Sequence, residues 1–102
     1  METEIEQLRS RYLELVNREL PQQAKERQFP VRFNHCFARI ILDNLFQCCW
    51  YDKLDRQQGA AYKQLSTEQL QQAIALAEQI IASPDRYIRE LNQNSLRWRG
   101  KL

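Results

Sequence analysis

Glycine is nearly absent from this chain: its 102 residues include two, Gly59 and Gly100. Glycine supplies the positive φ of tight hairpins and the bare backbone that cradles phosphate. Hairpin-rich sheets and glycine-rich nucleotide loops therefore lack their raw material, and helices joined by short connections are the natural reading. Histidine is scarcer still. With His35 alone, any Ser–His or Cys–His pair has one possible base. Three cysteines, Cys36, Cys48 and Cys49, make an odd number. The adjacent pairs His35-Cys36 and Cys48-Cys49 are poor spacings for zinc, whose structural sites use C-x₂₋₄-C. We read the cysteines as reduced thiols in a cytoplasm. No run approaches the ~20 apolar residues that cross a bilayer, and the acidic start is unlike a signal peptide. The expectation is a cytoplasmic chain with no membrane partner, no metal and no cofactor.

What is present is ordinary for a globular protein, 43% hydrophobic and 27% charged, in a length that suits one domain. The net charge of +2 is too small to call for a polyanionic partner, but it is unevenly spread. Acids outnumber arginines over residues 1–20, whereas Arg86, Arg89, Arg97, Arg99 and Lys101 face only Glu90 over residues 86–102. A short basic tail at about 96–102 is the result.

Helical periodicity runs through most of the chain. Thr3-x-x-Glu6 has capping-box spacing, and Ile5, Leu8, Tyr12, Leu15, Val16 and Leu20 then draw one apolar stripe. Glu14 and Arg18 form an i, i+4 pair, and Pro21 is expected to end the helix. A short turn over 22–27 and an extended Phe29-Pro30-Val31 should follow. Asn34 is the expected cap of a helix over 35–47, in which Phe37, Ile40, Ile41, Leu42, Leu45 and Phe46 cover most of the circumference. Only a strip of Arg39, Asp43 and Gln47 is polar, so this helix should lie at the centre with neighbours on several sides. Asn44 falls inside the apolar arc and needs hydrogen-bond partners if buried. Trp50 and Tyr51 should fold the next segment back over the core, with a turn at 52–55 and helix again after Gly59. Ser66-x-x-Gln69, with Leu65 and Leu70 in staple positions, starts a helix carrying Leu70, Ala73, Ile74, Ala77, Ile80 and Ile81 on one face. Ser83-Pro84 should cap the last helix, whose inner face holds Tyr87, Ile88, Leu91 and Trp98. The fold expected is all-α, a single-domain bundle of four to five helices.

Chemistry is thin. Ser66 and Ser83 are accounted for as caps, and no catalytic or metal residues are assigned. Vicinal Cys48-Cys49 could act in redox only with a lowered thiol pKa. Asp43 has the spacing to pair with Arg39 at i, i+4. Two groups are candidate contacts. Arg32, Asn34, His35, Arg39 and Asp43 form a polar cluster whose first three members come at a helix start, where N–H groups favour a small anion or a partner's carboxylate; capping plus surface charge is the plainer account. Arg97, Trp98, Arg99 and Lys101 interleave cations with an indole, a pattern that suits a protein partner or stacking on single-stranded nucleic acid. An indole packed on the last helix among solvated arginines explains the same residues, and so few cations favour it.

The segment from Arg32 to Asn44, with Trp50-Tyr51, Ala61-Tyr62 and Leu96-Arg97-Trp98-Arg99-Gly100-Lys101, resembles small bacterial helical proteins, cyanobacterial ones included. Some of these carry an acetyltransferase label. The acyl-CoA loop of the common acetyltransferase fold needs a glycine-rich turn before a helix, inside a β-sheet domain. This chain offers neither, so the resemblance carries over no site residues. The function expected is a helical interaction or regulatory module that meets another protein or a second copy of itself, as a homodimer. Weak nucleic-acid binding by the tail, and ligand binding or catalysis near Arg32–Asp43, stand as alternatives.

Overall fold

The Thr3 hydroxyl accepts the Glu6 N–H and starts α1 (Glu4–Glu14) in the computed structural model, which describes residues 2–102. Pro21 does not end this helix. A π-helical turn (Leu15–Glu19) leads without a break in right-handed dihedrals into α2 (Leu20–Glu26), and the Leu20 N–H reaches back five residues to the Leu15 carbonyl. A proline at 21 has no N–H for the carbonyl of Asn17, and its ring would crowd that carbonyl. The wide turn just before it loosens the spacing there, so the rod runs on to Glu26. Glu14 and Arg18 pair as expected.

The central helix is α3 (Asn34–Phe46). It starts one residue earlier than expected, with Phe33 rather than Asn34 at the cap and no side-chain cap bond. Asn34 instead accepts the His35 N–H and donates to the Asn17 side chain, tying α3 to the π turn. Gln47 closes α3 in the left-handed conformation (φ 57°) that glycine usually supplies. The next segment folds back through three short 3₁₀ turns, Trp50–Asp52, Arg56–Gln58 and Ala61–Gln64, with Gly59 at φ 102° between the second and third.

The Ser66/Gln69 capping box forms in both directions, at 3.1 and 2.9 Å, and opens α4 (Thr67–Ala82). Leu65 and Leu70 of the staple are both buried. At the next junction the cap is Pro84, not Ser83, and α5 (Asp85–Trp98) begins at Asp85. Arg27 secures this corner. Its guanidinium donates to the carbonyls of Ile81 and Ser83, which lack helical partners, and to the Asp85 carboxylate at 2.8 Å.

The result is an all-α bundle. α3 packs against α4, α5, α2 and the π turn, while α1 packs on α4. Phe37, Ile40 and Ile41 are wholly buried at its centre, which is where a helix apolar over so wide an arc belongs. The radius of gyration, 13.2 Å, is that of a single compact domain of this length, about 13 Å. Among the described residues no helix is long and apolar enough to cross a membrane.

Candidate functional site

Asp43, on the polar strip of α3, is completely buried. Because α3 has neighbours nearly all round, Arg39 and Asp43 of this strip face the C-terminal half of α5, and Gln47 alone of the three is exposed. The carboxylate accepts from Ser95 Oγ (2.6 Å), Arg99 Nε (2.6 Å), Arg99 Nη2 (3.1 Å) and the Trp50 N–H (2.9 Å). The expected Arg39–Asp43 pair does not form. Arg39 reaches across to Ser95 Oγ (2.7 Å) and Asn92 Oδ1 (2.8 Å), and burial pulls its pKa down. The hydrogen bond to Asp43 pushes the Arg99 pKa up, against the opposing effect of burial. Asn44 obtains the partners that its place on the wheel demanded: it donates to the carbonyls of Ile40 (2.7 Å) and Leu91 (2.9 Å) and accepts from Asn94.

Burying a carboxylate costs several kcal/mol, and four donors with one full counter-charge are what offset it. The net gain in stability is small; the geometric consequence is large. The network fixes the C-terminal turn of α5 against the loop after α3. There Arg99 lies 4.7 Å from the Tyr51 ring centroid and Arg56 lies 3.9 Å from it. Tyr51 and Trp98 are 42% and 37% exposed, and both line one shallow cleft with Cys49, Asp52 and Lys101. Helix α5 runs through Trp98, so the expected tail reduces to Lys101 and Leu102 beyond a turn at Arg99–Gly100.

A second concavity, of about 360 Å³, lies between α1, α3 and the loop over 50–62. Tyr12, Trp50 and Tyr62 line it, and the two tyrosine rings stack at 6.3 Å. Asn17, Asn34, His35 and Arg56 are its polar members. Burial alone pushes the Tyr12 phenol up, so it stays a neutral donor.

The Arg32–Asp43 cluster does not assemble. Arg32 is exposed and borders a separate depression with Pro21, Ala24, Lys25 and Phe33. Asn34 and His35 sit at the aromatic groove, with the exposed Phe33 ring parallel to His35 at 5.9 Å. Arg39 and Asp43 belong to the α5 network. Of the second group, Arg97, Trp98 and Lys101 are exposed and Arg99 is held by Asp43. The three cysteines are free, and among the described residues no three His, Cys, Asp or Glu side chains come together as a metal site. Burial pushes the Cys48 thiol up, which favours the unreactive protonated form.

No protein-family model, curated protein or solved structure matches this chain. The site is therefore read from its own residues. Sequence reasoning missed Ser95, Asn92, Tyr12 and Tyr62. The side-chain partners of Asp43 lie 52 and 56 residues away, beyond any local spacing. One signal did exist: a helix apolar almost all round leaves its few polar residues facing protein.

Proposed function

We propose that the chain is a helical protein-interaction module whose contact face is built on Tyr51 and Trp98. The observation that supports this is the pairing itself. Two large aromatics 47 residues apart in sequence stay exposed on one cleft, on backbone held from below by the buried Asp43–Arg99 pair. Tyr, Trp and Arg are the residues in which interface hot spots are enriched, and a rigid aromatic surface loses little entropy on binding. Arg56 stacked on Tyr51, and Lys101 in the cleft, outnumber Asp52. The partner is accordingly an acidic protein segment with an apolar anchor.

The test compares the full chain with its Tyr51→Ala/Trp98→Ala variant as bait in nuclease-treated lysate, then measures the captured protein, purified, against both. Binding at least tenfold weaker for the variant, with an unchanged melting curve, supports the reading; equal binding overturns it. Retention of oligonucleotides alone, with steep salt dependence, would replace it with nucleic-acid binding.

A further inference from the structure

The groove between α1, α3 and the 50–62 loop is lined by neither Tyr51 nor Trp98, and Asn17, Asn34 and Arg56 already have neighbours, whereas its aromatic polar groups do not. Tyr12 is 2% exposed, yet among the described residues nothing hydrogen-bonds its hydroxyl. Buried tyrosines and tryptophans normally find a partner for their polar tip. Among the described residues, the side-chain polar atom sealed from solvent without a partner is Arg9 Nε. The Tyr12 oxygen therefore opens onto the groove that its side chain lines, rather than into the packed core. Neither the Trp50 indole N–H nor the Tyr62 hydroxyl has a side-chain or backbone partner among the described residues, and both residues line the same groove. Three donors without acceptors among the described residues thus belong to the aromatic residues that line the groove.

Charge points the same way. Arg56 and the amide groups of Asn17 and Asn34 are polar lining groups, and among the described residues no carboxylate lines the groove. The volume, about 360 Å³, is at the small end of ligand pockets, which run to roughly 300–1,000 Å³ with apolar walls and a few convergent polar groups. We infer that this groove binds a small planar aromatic carboxylate, its ring against Tyr62 and Trp50 within reach of the Tyr12 hydroxyl, and its anionic group toward Arg56. The apolar walls desolvate a flat ring, and the unspent donors together with Arg56 accept an acceptor-rich anion and disfavour a cation.

The probe is 2-naphthoate, compared with its neutral alcohol and its cationic amine analogue. Binding is read from the indole N–H resonance of Trp50, assigned with Trp98→Phe. Naphthoate should shift the Trp50 signal with saturation below about 1 mM and bind about tenfold tighter than the alcohol, with the amine weaker still. Arg56→Gln should remove most of the advantage of the acid over the alcohol. Tyr12→Phe should weaken naphthoate about fivefold while leaving thermal stability equal or higher, because the deleted hydroxyl has no protein partner. Ala38→Phe fills the groove and should abolish the shift. No shift of Trp50 up to about 1 mM overturns the proposal, as does equal binding of acid, alcohol and amine. Loss of stability in Tyr12→Phe would also overturn it, by showing the hydroxyl to be engaged within the protein. Tyr12→Phe and Ala38→Phe leave Tyr51, Arg56 and Trp98 in place, so in these two variants loss of groove binding and loss of partner binding are separable.

Discussion

Replacing Arg99 by methionine keeps much of the side-chain length and removes the charge that faces a carboxylate with no solvent exposure. The Arg99 side chain itself is 14% exposed, so water has only a narrow way in. Stripping one partner from a buried ion pair costs about 3–5 kcal/mol. Asp43 would keep the Ser95 hydroxyl and the Trp50 N–H, which places Arg99→Met near the lower end, about 3 kcal/mol. Domains of this size are stable by about 5–15 kcal/mol, so the loss is a large fraction of the whole. It corresponds to a fall in Tm of roughly 12–20 °C, or about 1.5 M in urea midpoint at a slope near 2 kcal/mol/M. Circular dichroism during urea unfolding reads it directly. Arg97→Met is the control, an exposed arginine two residues away that should change stability by no more than about 0.5 kcal/mol. Removing both charges, in Asp43→Leu/Arg99→Met, should recover at least half of the loss, because an apolar pair of similar volume no longer strands a buried charge. If Arg99→Met falls within about 0.5 kcal/mol of Arg97→Met, the pair is screened by water and cannot be what holds the C-terminal turn.

Two further changes test other joints of the fold. Gln47→Gly should stabilise the chain by about 0.5–1 kcal/mol, since a non-glycine residue there bears the left-handed φ of 57°; a lower urea midpoint would refute this. The Arg27 guanidinium, and after it the Gln28 N–H, hold the Asp85 carboxyl below its ordinary value of 3.8. A depressed folded-state pKa contributes stability above the unfolded value and loses it as pH falls through the folded one. The gap in urea midpoint between wild type and Asp85→Asn should therefore be constant above about pH 5 and close as pH drops below the carboxylate range. A gap that persists undiminished at about pH 2 would show that the carboxylate's charge is not what matters.

Local signals in the chain were sufficient for most of the helices. Apolar stripes at steps of three and four, the Ser66/Gln69 box and the near-absence of glycine all act through backbone geometry within a few residues. For that reason α4 and the central place of α3 are legible without coordinates. The misreadings were also local rules, overruled by packing. Pro21 breaks an isolated helix, but a π turn held in the core carries the rod past it. The caps of α3 and α5 moved by one residue, because Asn34 bonds across to Asn17 and Arg27 takes the free carbonyls of α4.

The candidate sites were where sequence reasoning failed most, and the reason is range. Residues 32 to 43 are neighbours along the chain, yet their side chains meet three different surroundings: a depression beside α2, the aromatic groove, and the end of α5. Arg99 looked like one more cation on a basic tail until the bundle brought it 2.6 Å from a buried carboxylate 56 residues earlier. Sequence alone determined that the chain is helical, which faces are apolar, and that α3 is enclosed, because those follow from periodicity and from how much apolar area must be covered. Which polar residues meet, which stay exposed, and where a groove is left open were decided only by the tertiary structure, because they depend on the distance and direction between helices, which no local pattern encodes.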